Sequence, residues 1–198
     1  MDFRSVILIF LKKKNKLSPQ KLLKQQKAAN PTNAFDPKKL ITIIGILIFT
    51  FVAFSPSLNN GFVNWDDDKN FYENDNITTL TDSNFWSNTV KIFKSDVIGG
   101  YNPLSIWSFL IEHKIFGLDQ PTYWHLDNIL LHLVCVFFVF WIAIRMRLGY
   151  FGAIILSLLF AVHPMRVESV AWITERKDVL FGAFYLAAMF YYIKGKQD

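Results

Sequence analysis

The sequence predicts an all-α integral membrane protein, with about four transmembrane helices and a long outer loop that carries interfacial helices of its own. Three observations support this. Of the 198 residues 52% are hydrophobic, and the 20 Phe crowd into dense apolar runs, not into the spacing that one amphipathic face would give. Trp124 and Trp141 stand near the ends of the longest apolar segment, where an interfacial aromatic belt would place them. Charge is segregated along the chain: between Lys12 and Lys39 nine lysines face Asp36 alone, whereas from Asn59 to Leu126 nine Asp or Glu face four lysines. Blocks of opposite sign fit the two sides of a membrane. The net charge of +5 therefore does not call for nucleic acid as a partner.

The spans are expected at about 40–58, 123–144, 149–162 and 179–193. The first opens with an uncharged run from Leu40 to Phe49, and the second contains the uninterrupted apolar stretch Leu133 to Ile144. Roughly 20 helical residues cross about 30 Å of hydrocarbon, so both are long enough. The third and fourth are short for a crossing. They become spans if His163-Pro164 and Asp178 lie at the interface, and a re-entrant hairpin is the alternative. Lys12 to Lys39, then Arg145 and Arg147, then Lys194 and Lys196 fall on every second junction. The excess of positive residues on cytoplasmic loops places all of them, with the N-terminus, in the cytoplasm. Residues 1–39 then form a basic cytoplasmic tail whose apolar stretch, Val6 to Leu11, is too short to span and whose lysines suit anionic lipid. Residues 40–198 form one polytopic module, with outer loops 59–122 and 163–178. The single cysteine, Cys135, excludes an internal disulfide and reads as a packing residue.

The first outer loop is too long to be a passive connection. Pro103 suits the first turn of a helix reaching about Phe116, with Leu104, Trp107, Leu110, Ile111 and Ile115 at helical spacing. Its apolar side would rest on the membrane surface or on the bundle. A second helical piece is expected around Ser83 to Phe93.

Two constellations carry chemistry. Asp66-Asp67-Asp68 follows Phe62, Val63 and Trp65 soon after the first span, so carboxylates stand near the outer surface beside aromatic rings. A carboxylate in that setting suits a general base, and a solvated acidic turn is the plainer alternative. The second runs from His163 to Asp178 and packs seven ionisable groups between two apolar spans. Ionisable groups at that depth usually mark a site or a water-filled cavity. If the stretch is helical throughout, Glu168 and Glu175 lie two turns apart on one face, and Arg176 and Lys177 end where an anionic phosphate could bind. A salt-bridged loop that only caps two helices is the alternative. His113, His125 and His132 have no carboxylate between them on a shared face, so they read as packing and hydrogen-bonding groups, and no nucleotide-phosphate or hydrolase motif occurs.

Taken in order, the segments Phe62-Val63-Asn64-Trp65-Asp66-Asp67-Asp68, Tyr101-Asn102-Pro103-Leu104-Ser105, Tyr123-Trp124-His125-Leu126-Asp127-Asn128 and His163-Pro164-Met165-Arg166-Val167-Glu168 with Glu175-Arg176-Lys177-Asp178 resemble a known family. It is the transmembrane and tetratricopeptide-repeat proteins, in their N-terminal membrane part, which are similar to protein O-mannosyltransferases of the GT-C superfamily. The resemblance runs from about Leu40 to Ile193. It implies a partial GT-C fold and a transferase that takes a sugar, mannose for instance, from a polyprenyl-phosphate carrier to a protein or glycan hydroxyl outside the cytoplasm. The bilayer and the lipid-linked donor are the implied partners, the membrane a bacterial-type inner one, and a divalent metal is left open. Carried onto this sequence, it places the catalytic acids at Asp66 and Asp67, and it gives donor-phosphate contact or support of the base to His163, Glu168, Arg176 and Lys177. Asn102 departs from the Arg or His that related sequences often have there. The family continues through further spans and a helical repeat domain, so this chain is expected to hold part of a site, as a fragment or a truncated remnant. A non-catalytic membrane scaffold is the alternative from another class.

Overall fold

The computed structural model describes residues 36–97 and 99–197. The basic tail up to residue 35, with its expected contact with anionic lipid, lies outside the described residues. Among the described residues the chain is helical, with one isolated β-bridge between Val97 and Gly100. In chain order the helices are α1 (Pro37–Phe54), α2 (Asp75–Thr78), α3 (Phe85–Ile92), α4 (Pro103–Phe116), α5 (Pro121–Arg145), α6 (Gly149–Val162), α7 (Arg166–Ala171) and α8 (Arg176–Gln197).

Proline and glycine set several of the boundaries. Pro103 and Pro121 lie in the first turns of α4 and α5, where a missing N–H costs nothing. Pro56 cannot continue α1, and the chain tightens into a 3₁₀ turn, Ser55–Asn59. Gly117 ends α4 at φ 79°, a left-handed setting that disfavours a side chain, and its N–H reaches the His113 carbonyl at 2.9 Å. The helix expected from Pro103 to about Phe116 and the helical piece expected around Ser83 to Phe93 are both present.

Among the described residues two helices are long and apolar enough to cross a membrane: Pro37–Asn59, with 23 residues, and Pro121–Arg145, with 25. A third apolar helix, α6, has 14 residues. The segment expected at 179–193 belongs to the 22-residue α8, which starts earlier and ends later than its apolar core. Helix α5 is central. Its Val136, Phe140 and Ala143 pack with Ile43 and Ile46 of α1 and with Ala153 and Ala161 of α6, and the alanines let the backbones come close. On α8, a Cβ added at Gly182 would lie 3.4 Å from Cys135 Sγ, so α8 and α5 pack closely there. Outward, Ile41, Ile48 and Val52 of α1, Phe151, Ile155 and Leu159 of α6, and Phe181 and Phe184 of α8 are exposed. That is an apolar belt of the kind a bilayer covers, and soluble monomers rarely expose large contiguous apolar patches.

The long loop folds on a core of its own. Phe71, Ile77 of α2, Ile92 of α3 and Ile106, Phe109 and Leu110 of α4 close around Trp124 of α5 and Ile173 of the short loop. Helix α4 thus buries Ile106, Phe109 and Leu110 in this core, while Leu104 and Ile115 of the expected apolar face are exposed. The Phe71 ring sits 4.4 Å from that of Phe109 and 4.6 Å from that of Trp124, centre to centre. Replacing it with alanine is expected to lower the stability of this loop by about 3–5 kcal/mol, read as earlier proteolysis of residues 60–120 at unchanged membrane insertion.

The structure corrects one expectation about the short loop: residues 163–178 are not one helix. Helix α7 ends at Ala171, and Trp172 leaves it extended, at ψ 125°. The reason is tertiary: the indole turns inward to meet Asp67, 105 residues away in sequence, and the face that would have carried Glu168 and Glu175 together is broken there.

Candidate functional site

The two acidic residues singled out in the long loop sit in different surroundings. Asp67 is fully buried. Its Oδ2 accepts the Val63 N–H at 2.8 Å, and its Oδ1 accepts the indole N–H of Trp172 at 3.0 Å. One carboxylate thereby ties the start of the long loop to the short loop, 105 residues away in sequence. Asp66 is half-buried and faces the other way. It lines a polar cavity of about 180 Å³ together with Asn70, Asn102, Ser105, Thr174 and Lys177, over an apolar floor that includes Ile106 and Phe109.

Local structure explains the presentation. After Trp65 the chain enters a short helical turn that widens into a π-helical one at Asp68–Tyr72, the kind of distortion found often at functional sites. Asn70 Nδ2 donates to the Asp66 carbonyl at 2.7 Å, which fixes the backbone under the carboxylate. On the opposite wall, Lys177 Nζ pairs with Glu175 Oε1 at 2.8 Å. Its ammonium is held above the ordinary lysine range, first by that hydrogen bond, then by the charges of Glu175, Asp66 and Asp178 after burial has taken its opposing share. Lys177 is therefore a fixed positive charge facing a carboxylate across a small polar space. Thr174 is buried, and its hydroxyl has no partner within the described residues.

The remaining expected residues fall elsewhere. His163 is exposed at the end of α6, its Nδ1 accepting the Met165 N–H at 3.2 Å, and Glu168 is exposed on α7; neither lines the cavity. Arg176 is fully buried. Its Nε donates to Asn128 Oδ1 at 2.8 Å, one terminal nitrogen to Ser108 Oγ at 3.1 Å and Glu112 Oε1 at 2.6 Å, and the other to the Trp124 carbonyl at 2.8 Å. Direct contact with a phosphate in the cavity is closed to it, because its donors are already engaged behind the wall. Of the expected set the structure brings Asp66 and Lys177 together in the cavity, with Asp67 and Arg176 directly behind. Asn70, Ser105 and Thr174 were not singled out from the sequence. The one usable signal was for Asn70, four residues after Asp66 on a helical turn.

Two of the three histidines read as hydrogen-bonding groups are so engaged, whereas both ring nitrogens of the buried His125 have no partner within the described residues. His113 Nδ1 donates to the Ile77 carbonyl at 2.9 Å, and His132 Nε2 to the Ala161 carbonyl at 2.9 Å. Among the described residues no group of three or more His, Cys, Asp or Glu is placed to hold a metal ion.

Fold and site together define a membrane protein in which a loop domain packs against apolar helices and carries a polar cavity with one acidic and one basic wall. Comparison with known proteins supplies the family. The chain is 31% identical over 161 residues to the Drosophila melanogaster protein O-mannosyl-transferase Tmtc1, an alignment that covers 78% of this chain and 18% of that protein. It is 30% identical over 164 residues to human protein O-mannosyl-transferase TMTC3, with 80% and 17% covered, and 40% identical over 95 residues to human TMTC2, with 48% and 11% covered. By homology the chain belongs with the TMTC protein O-mannosyl-transferases, and it spans less than a fifth of the length of Tmtc1 and TMTC3. No protein-family model matches it, and no solved structure does.

Proposed function

We propose that this chain is the membrane module of a glycosyltransferase that moves a sugar, mannose by the names of its relatives, from a polyprenyl-phosphate carrier to a protein or glycan hydroxyl on the non-cytoplasmic side. In this reading α1, α5, α6 and α8 are four crossings of a partial GT-C fold, with the N-terminus cytoplasmic and a bacterial-type inner membrane as the setting. The observation that carries it is the cavity in which Asp66 of one loop and Lys177 of the other face a common space, in a chain whose relatives are named O-mannosyl-transferases.

The chemistry follows from those two groups. The Asp66 carboxylate takes the proton of the acceptor hydroxyl as its oxygen attacks the anomeric carbon. The bond from that carbon to the phosphate oxygen breaks with inversion. Lys177 meets the negative charge that develops on the departing polyprenyl phosphate. Asp67 orients the segment that bears Asp66, and Trp172 holds Asp67.

The test is made on the intact protein in its own membrane. Expression of the wild type is expected to add hexose to protein hydroxyls, detected by mass spectrometry, and the Asp66→Asn/Lys177→Gln double variant to add none at equal abundance. Hexose addition by the double variant at the wild-type rate would refute the transferase reading in favour of a scaffold.

A further inference from the structure

Arg176 lies between the two residues that form the basic and hydroxyl-bearing wall of the cavity, Thr174 and Lys177, yet points away from it. Its guanidinium enters a pocket made by two other elements. From α4 come Ser108 and Glu112, from α5 Asn128 and the Trp124 carbonyl, all within hydrogen-bonding distance. The guanidinium carbon stands 4.4 Å above the Phe109 ring, and Phe109 is also part of the cavity floor. The knot therefore touches the cavity from behind through both its neighbours in sequence and its partners in space.

An arginine so placed has no phosphate to bind. Its planar fork, filled by acceptors in several directions, fixes the orientation of the turn that carries it far more tightly than a lysine could. Asn128 strengthens this, because its Nδ2 donates to the Trp172 carbonyl at 2.9 Å and to the Ile173 carbonyl at 3.3 Å while its Oδ1 accepts from Arg176. Residues 172, 173 and 176 are thus pinned at one point on α5, and residues 174 and 177, lying among them, are turned toward Asp66.

We infer that Arg176 is a positioning residue: the Arg176–Asn128–Glu112 knot holds the Thr174–Lys177 wall at its working distance from Asp66, and docks the long loop onto the bundle by the same bonds. The positioning rests on geometry alone. Its consequence for transfer rests on the function proposed above, so the deciding experiment does not use transfer.

In the intact protein with Cys135 replaced by Ala, cysteines are introduced at positions 66 and 177, and the rate of bridging by a short bis-maleimide is measured in membranes. A control protein also lacks Cys135 and carries Arg145→Cys and Gln197→Cys, a neighbouring pair at the exposed ends of α5 and α8, remote from the knot. Arg176→Gln is expected to slow bridging of the 66–177 pair at least tenfold and Arg176→Lys to restore part of it, with the 145–197 pair bridging at its original rate in both. An unchanged rate for the 66–177 pair in Arg176→Gln overturns the inference. So does loss of both pairs together, because Arg176 would then serve the fold at large and not this wall. If the pairs behave as expected while the double variant of the previous section still transfers sugar, the positioning stands and the functional reading falls.

Discussion

Replacing Asp66 with Asn in the intact protein is expected to lower sugar transfer by about 10²–10⁴-fold, the usual worth of a general base, with stability changed by no more than about 0.5 kcal/mol. Asp66 lines the cavity and is half-buried, so an amide of the same shape fits without leaving a new group unsatisfied. Asp67→Asn should behave differently. Both oxygens of Asp67 accept N–H groups in a fully buried position, from Val63 and from Trp172. An amide would aim its own NH₂ at one of those donors, and leaving that pair unsatisfied costs about 1–3 kcal/mol. Asp67→Asn should therefore lose stability as well as rate, and Trp172→Phe should reproduce much of the effect. Thermal unfolding of the detergent-solubilised protein beside initial transfer rates separates the two residues. If Asp67→Asn were the more inactive while equally stable, Asp67 and not Asp66 would be the base.

The second large effect is expected at the buried knot. Arg176→Leu should destabilise the protein by about 3–5 kcal/mol, because Asn128, Ser108, Glu112 and the Trp124 carbonyl lose their donor together and each buried polar group left unsatisfied costs about 1–3 kcal/mol. The Arg176–Glu112 pair is not a simple one. Asp127 Oδ2 stands 3.5 Å from the same Arg176 nitrogen that bonds Glu112, so two carboxyls share one cation. Burial pushes the Glu112 carboxyl up to about 8, against the lowering by Arg176, and Asp127 adds to the rise. The folded state therefore holds the Glu112 proton more tightly than the unfolded chain, where the value is near 4.5. That contribution is complete below pH 4.5 and is lost as pH rises through about 8, with a limiting slope of about 1.4 kcal/mol per pH unit. The unfolding temperature of the wild type should fall between pH 5 and 8, and Glu112→Gln, a permanent mimic of the protonated acid, should flatten that fall. A wild-type profile already flat over this range would mean that Glu112 stays ionised beside Arg176.

Both predictions turn on residues that the sequence pointed to, and the fold gives neighbours that read alike different roles. Arg176 and Lys177 are adjacent and of like charge, and as a sequence pair they read as two phosphate contacts. The fold turns one onto Glu112 and leaves the other in the cavity. Glu168 and Glu175 looked like a matched pair on one helical face, and the extended Trp172 separates them. His163 and Glu168, prominent in the family resemblance, stand exposed outside the cavity.

The sequence by itself determined the longer helices, though neither α2 nor the break after α7. Proline at the first turns of α4 and α5, glycine after α4, and apolar runs bounded by charge are local signals, and the observed boundaries follow them within a few residues. It also determined that the chain belongs in a membrane, because composition and exposed apolar faces express the same property. Only the tertiary structure decided which polar groups meet. The bonds from Arg176 to α4 and α5 span 48–68 residues and that from Trp172 to Asp67 spans 105, distances over which periodicity carries no information. A buried polar side chain is positioned by whichever distant acceptor can offset its lost hydration, and that acceptor is known only once the helices have packed.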